Sequence, residues 1–167
     1  DNKINPGLGN GTDVVDGLGG SDRLIIDYSR NDIGTGITGG YDNGSAENGS
    51  LSRNTSNEDN ILDAVNFFGT EKIEVIGTIK DDEIYGGAGN DFIQVGAGND
   101  TIYGGRGSNF ILADDGDDLV VDQTDINRQF SGFPSNNFIV LDGGRGIDTL
   151  SVDLSNKFDD IVLESTN

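Results

Sequence analysis

A period of nine residues constrains this chain more than any other feature. The middle reads Gly86-Gly87-Ala88-Gly89-Asn90-Asp91-Phe92-Ile93-Gln94, then Val95-Gly96-Ala97-Gly98-Asn99-Asp100-Thr101-Ile102-Tyr103. Units from Gly104 to Leu112 and from Ala113 to Val121 follow directly, and a weaker one, Gly77 to Tyr85, precedes. Two more run from Leu8 to Asp16 and from Gly17 to Ile25, and a last one from Gly143 to Ser151. The eighth place holds Val15, Leu24, Ile84, Ile93, Ile102, Ile111, Val120 and Leu150. The sixth holds Asp13, Asp22, Asp82, Asp91, Asp100, Asn109, Asp118 and Asp148. Repeats at a fixed short period announce a stacked architecture, because one such unit cannot bury its own apolar face.

Each unit divides in two. Six residues rich in Gly, Asn, Ser and Asp make a turn, and the last three make a short strand. Strand side chains alternate, so the lone aliphatic at the eighth place points inward. Stacking then builds a continuous apolar column. Gly in the turn tolerates positive φ and lets carbonyls face one point.

Composition narrows the chemistry. The 167 residues suit one domain. Acids outnumber bases 30 to 10, for a net charge of -20, and Cys and His are absent. There is then no disulfide, no thiolate nucleophile and no imidazole base or ligand. Carboxylate, hydroxyl, amide and backbone oxygen remain, the ligands of a hard cation. The acidity excludes nucleic acid as a partner, since phosphate contacts need clustered Lys and Arg. No apolar run reaches the length of a membrane span. The chain does not begin with Met and reads as an excerpt from a longer or processed protein. Acidity with modest hydrophobicity fits either disorder or a fold that cations assemble. The ladder of eight aliphatics favours the second.

The pattern G-G-x-G-x-D-x-U-x resembles the calcium-binding nonapeptides of the RTX (repeats-in-toxin) family. Units starting at Gly86, Gly104 and Gly143 keep the full glycine and Asp/Asn core. The resemblance implies an all-β, right-handed parallel β-roll (a β-solenoid) in which two nonapeptides make one coil. Residues 18 apart then stack, and Ca²⁺ sits between successive turns on one side. Each ion would take sixth-place side chains and backbone carbonyls, here those of Gly87, Gly89, Gly96, Gly98, Gly105, Gly107 and Gly116. One side stacks Asp82, Asp100 and Asp118, and the other Asp91 and Asn109. Asp13 and Asp22 lie on opposite sides of an N-terminal coil. About 4–6 ions are expected from the oxygen-ligand pattern. Asn109 brings no charge, so its site should be weaker, with Asp114, Asp115 and Asp117 near enough to compensate. Asp16, Asp115 and Asp142 are weaker candidates for ligands. Arg106 and Arg145, at third places, should point to solvent.

One domain over 1–167 is expected, with repeats at 8–25, 77–121 and 143–151 and irregular insertions at 29–67 and 122–137. Residues 152–167 should cap the roll, whose end would otherwise expose backbone and apolar column. Within the first insertion, Val65 to Phe68 and Lys72 to Ile76 read as strands, and part of 29–60 as a loop or side hairpin. The roll should start at Val75, nine before Ile84, without a metal turn. Outward positions carry apolar rows: Phe92, Phe110 and Leu112 on one face, and Tyr85, Tyr103, Leu119 and Val121 on the other. The insertions, with Phe130 and Phe133 as plugs, are expected to cover them.

Three functions follow in order. The first is a calcium-binding structural module of a secreted bacterial protein, folding on extracellular calcium. The resemblance adds type I secretion through a one-step channel. The second is a non-catalytic part of a polysaccharide-acting enzyme. No acid here lies in an evident apolar pocket, so no catalytic residue is assigned. The third is a calcium-dependent adhesive or glycan-binding surface. Ice binding is disfavoured, since only Thr101 and Thr149 stand at seventh places, in separate ladders. Partners are then calcium ions, other domains of a larger chain, or a surface polysaccharide.

Overall fold

The computed structural model describes residues 3–4, 11–29, 36–41, 48–54, 62–123 and 140–153. These form strands and no helix, so no helix among them is long and apolar enough to cross a membrane. In chain order they are β1 (Lys3–Ile4), β2 (Gly11–Asp16), β3 (Arg23–Asp27), β4 (Thr38–Tyr41), β5 (Gly49–Asn54), β6 (Leu62–Phe68) and β7 (Lys72–Ile76). There follow β8 (Glu83–Tyr85), β9 (Phe92–Gln94), β10 (Thr101–Gly105), β11 (Phe110–Leu112), β12 (Leu119–Gln123), β13 (Val140–Asp142) and β14 (Thr149–Asp153).

The strands lie in two sheets. One runs β1-β3-β7-β9-β11-β13, and the other β14-β12-β10-β8-β4-β5-β6-β2. From β7 onward the chain visits them alternately, so each strand pairs in parallel with the next but one. Ile84 lies opposite Ile102, and Ile102 opposite Val120. Ile93 lies opposite Ile111. These partners are two nonapeptides apart, as the period requires. Each middle residue is fully buried and its neighbours are partly exposed, the alternation expected of a strand with one face inward.

The two interruptions behave differently. After β12 the same columns continue: Leu141 pairs with Ile111 and Leu150 with Val120. The extra length of 122–137 is therefore absorbed without a change of column. Residues 124–139, including Phe130 and Phe133, and the expected cap from 154 onward lie outside the described residues. Leu150 departs from the inward ladder, at 48% exposed, on the terminal strand of the sheet as described.

The first insertion joins the sheet. β4, β5 and β6 form an antiparallel meander, with β4 bonded in parallel to β8 and β6 to β2. The hairpin expected within 29–60 is thus a part of the eight-stranded sheet. Its residues Ile37, Leu51 and Phe67, with Tyr28, enlarge the core beyond the repeat column. β7 is parallel to strands on both sides, Val75 lying opposite Ile93 of β9 and opposite Ile26 of β3.

The outward rows are stacked. Phe92 and Phe110 pack with ring centroids 5.4 Å apart, and Tyr85 and Tyr103 at 4.9 Å. Over the described residues Tyr85 and Phe110 keep just over a third of their surface exposed.

Candidate metal centre

The turns of alternate repeats are in backbone contact. The Gly87 carbonyl accepts from Arg106 N–H at 2.7 Å, and that of Gly96 from Asp115 N–H at 2.9 Å. Gly107 shows why glycine is needed. Its φ is +111°, and a Cβ there would stand 1.9 Å from the Gly89 carbonyl oxygen. Gly116 covers the Gly98 carbonyl in the same way. The carbonyls of successive turns therefore lie in columns that side chains would block.

The sixth-place side chains join these turns into two columns. Asp100 Oδ1 accepts from Asp82 N–H at 2.7 Å, Asp118 Oδ1 from Asp100 N–H at 2.8 Å, and Asp148 Oδ1 from Asp118 N–H at 3.1 Å. In the other column Asp91 Oδ1 accepts from Ile73 N–H at 2.9 Å, and Asn109 Oδ1 from Asp91 N–H at 3.0 Å. Each side chain thus satisfies a buried donor one coil earlier. The second carboxylate oxygen is different. Oδ2 of Asp91, Asp100 and Asp118 is buried and meets no hydrogen-bond donor.

Burial pushes these groups up. Desolvation holds the Asp100 carboxyl at about 7, opposed by its hydrogen bond from the backbone of Asp82. It holds Asp91 well above the carboxylate range, and raises Asp118 and Asp82. A buried carboxylate oxygen without a donor must gain a proton or a cation. No three carboxylates among the described residues group to hold a metal by themselves. A bound cation must therefore draw on carbonyls as well, which suits calcium more than magnesium. The donors here, paired carboxylates beside columns of carbonyls, fit such an ion.

Not every candidate is alike. Asp82 starts its column with both oxygens engaged, Oδ1 by Ile37 N–H at 2.6 Å and by the Thr78 hydroxyl, Oδ2 by Thr78 N–H at 2.8 Å. Asp22 is fully buried, its backbone N–H donating to Glu71. Asp13 does not end a turn as expected. It lies within β2 opposite Val65 and is only partly buried, because β2 is a long strand on which the sixth place is already extended. Asp16 and Asp142 are exposed and accept from Leu18 N–H and Gly144 N–H, capping the turns that follow. Arg106 and Arg145 are exposed, as expected, and Arg145 lies 3.6 Å from Asp115 at the surface.

Two features were missed by reading the sixth place alone. The fifth place carries its own ladder, running the opposite way. Asp81 Oδ1 accepts from Asn99 N–H, Asn99 from Asp117 N–H, Asp117 from Ile147 N–H, and Asn90 from Ser108 N–H, all at 2.8–3.0 Å. Short polar side chains at that place were the signal. The second is Asp122, fully buried, whose Oδ1 accepts from Asn109 Nδ2 at 2.7 Å. It falls 18 residues after Gly104, so carrying the period one residue past Val121 would have found it. Asp114, Asp115 and Asp117, expected to compensate Asn109, engage Gln94, Arg145 and Ile147 instead.

The chain matches no curated protein and no solved structure. It does match one family model, that of the RTX calcium-binding nonapeptide repeat, in four copies over residues 8–25, 75–102 and 85–120. Repeats of this family bind calcium, are themselves non-catalytic, and are typical of secreted bacterial proteins. Residues 8–25 and 75–120 match the RTX calcium-binding nonapeptide repeat.

Proposed function

We propose that this chain is a calcium-binding structural module of a secreted bacterial protein, wound as a right-handed parallel β-roll and folding when it meets extracellular calcium. One observation carries the reading: the carboxylates of Asp91, Asp100 and Asp118 each tie one oxygen to the backbone of a neighbouring coil and bury the other without a donor. Without a cation, folding must protonate these groups or bury their charge. With calcium the same oxygens become ligands, and binding free energy becomes folding free energy. Asp100, Asp118, Asp148 and Asp91 supply the carboxylates, Asp22 serves the N-terminal coil, and the turn glycines supply carbonyls. Extracellular modules bind at about 10⁻⁴–10⁻³ M, so the net charge of -20 would hold the chain open at cytosolic calcium by self-repulsion. The domain spans 1–167, with 152–167 as its cap.

Titrating calcium into metal-free protein tests this directly. Circular dichroism should show a cooperative gain of β signal, and tryptic resistance should appear over the same range. Magnesium at equal concentration should produce neither. Spectra and digestion unchanged by calcium would remove the proposal.

A further inference from the structure

Asn109 stands where the neighbouring coils place an aspartate, and its amide has a fixed orientation. Oδ1 accepts from Asp91 N–H at 3.0 Å, the bond its aspartate counterparts also make. Nδ2 donates to Asp122 Oδ1 at 2.7 Å. Turning the amide over would aim two N–H donors at an N–H and a carbonyl at a carboxylate, so the chemistry allows one arrangement. The NH₂ group therefore occupies the position that Oδ2 takes in Asp91, Asp100 and Asp118. A cation cannot be ligated from that side.

Asp122 is built into the place that faces it. β10 and β12 lose register between Tyr103 and Gly105, so that Gly105 pairs with Asp122. Asp122 falls at a first place, where Gly86 and Gly104 stand in the two coils before it. A Cβ on Gly104 would come within 2.2 Å of its Oδ1, so only glycine leaves room for the carboxylate. Asn109 and Asp122 are both buried.

We propose that Asn109 and Asp122 form a cation-free lock: a charge-assisted hydrogen bond closes this turn where its neighbours use calcium. The amide hydrogens take the role of the ion. The second column then holds fewer ions than its number of coils, and the turn from Gly104 to Asn109 closes without calcium, a metal-independent step beside metal-dependent ones. This rests on the calcium-module reading above.

Ion counting separates the two. Calorimetric titration gives ions per chain, and the rise of melting temperature over roughly 0.1–10 mM calcium counts ions taken up on folding. Asn109→Asp should bind one more ion than wild type, with a steeper rise and a lower melting temperature at low calcium. Asp122→Ala should melt lower at every calcium concentration, with an unchanged ion count. Asp122→Asn, which keeps an acceptor oxygen, should melt nearer wild type. An Asp122→Ala protein that loses an ion would make Asp122 a ligand and overturn the lock, as would an Asn109→Asp protein that gains none. Asn109→Asp only copies the residue of the other sixth places, so it keeps the test open if Asp122→Ala fails to fold. Wild-type melting indifferent to calcium would instead sink the calcium-module reading.

Discussion

Replacing Asp100 separates the two tasks of a sixth-place carboxylate. Its Oδ1 accepts from the buried N–H of Asp82 at 2.7 Å, while its Oδ2 is buried with no donor. Asp100→Asn keeps the first contact and removes the second oxygen. Asp100→Ala removes both. The metal contribution lost is then shared by the two variants, and their difference isolates the coil-to-coil bond. Leaving a buried backbone donor unsatisfied costs about 1–3 kcal/mol. In a domain of this length that corresponds to roughly 3–9 °C in melting temperature. The assay is thermal melting of both variants at saturating calcium, with calorimetric titration of each. Both should bind fewer ions than wild type, and Asp100→Ala should melt lower than Asp100→Asn by that interval. Equal melting temperatures would show that the Oδ1 bond contributes nothing. An Asp100→Asn protein with the full ion count would show that Oδ2 is not a ligand.

Further outcomes follow from the same geometry. Gly107→Ala places a Cβ 1.9 Å from the Gly89 carbonyl at a φ of +111°; strain alone costs about 1–3 kcal/mol, and a chemical melt matching wild type would contradict the close approach. Ile102→Ala, in the centre of the column, should cost about 2–5 kcal/mol, whereas Leu150→Ala, half-exposed on β14, should fall below about 1 kcal/mol in the same denaturant series. Proton uptake gives a pH signature. Carboxyls raised by burial, Asp100 to about 7 from 3.8, favour folding while protonated. Calcium-free stability should therefore be greatest below the unfolded value and lost as pH rises through about 7. With calcium the sense reverses, because the ion must displace the proton. Affinity should fall when titrations move from about one unit above that value to about one unit below it, and equal affinities at both would refute the coupling.

How far the sequence could be read depended on which interactions are periodic. The inward column from Ile84 to Val120 was legible because a three-residue strand has one buried position, and a fixed period returns it to the same place. The sixth-place columns were legible for the same reason. Leu150 carries the same repeat letter as Ile102 yet is half-exposed, since β14 is paired on one side only among the described residues while β10 is paired on both. Asp13 fits the motif but lies in a strand, because β2 pairs along its whole length with β6. The pairing of β4 to β8 and of β6 to β2 was illegible: these parallel partners are chosen by contacts distant along the chain, and no local pattern between 29 and 67 names them.

The sequence by itself determined the unit of this protein, its oxygen-only chemistry and the spacing at which carboxylates stack. Those properties belong to single residues repeated at one interval, so local geometry propagates them. Only the tertiary structure decided what each stacked oxygen meets: that Oδ1 serves the backbone of the preceding coil, that Asp82 is already satisfied by Ile37 and Thr78, and that Asp122 answers Asn109. A buried polar atom is defined by its neighbours in space, and those neighbours come from coils that the chain reaches only after closing its turns.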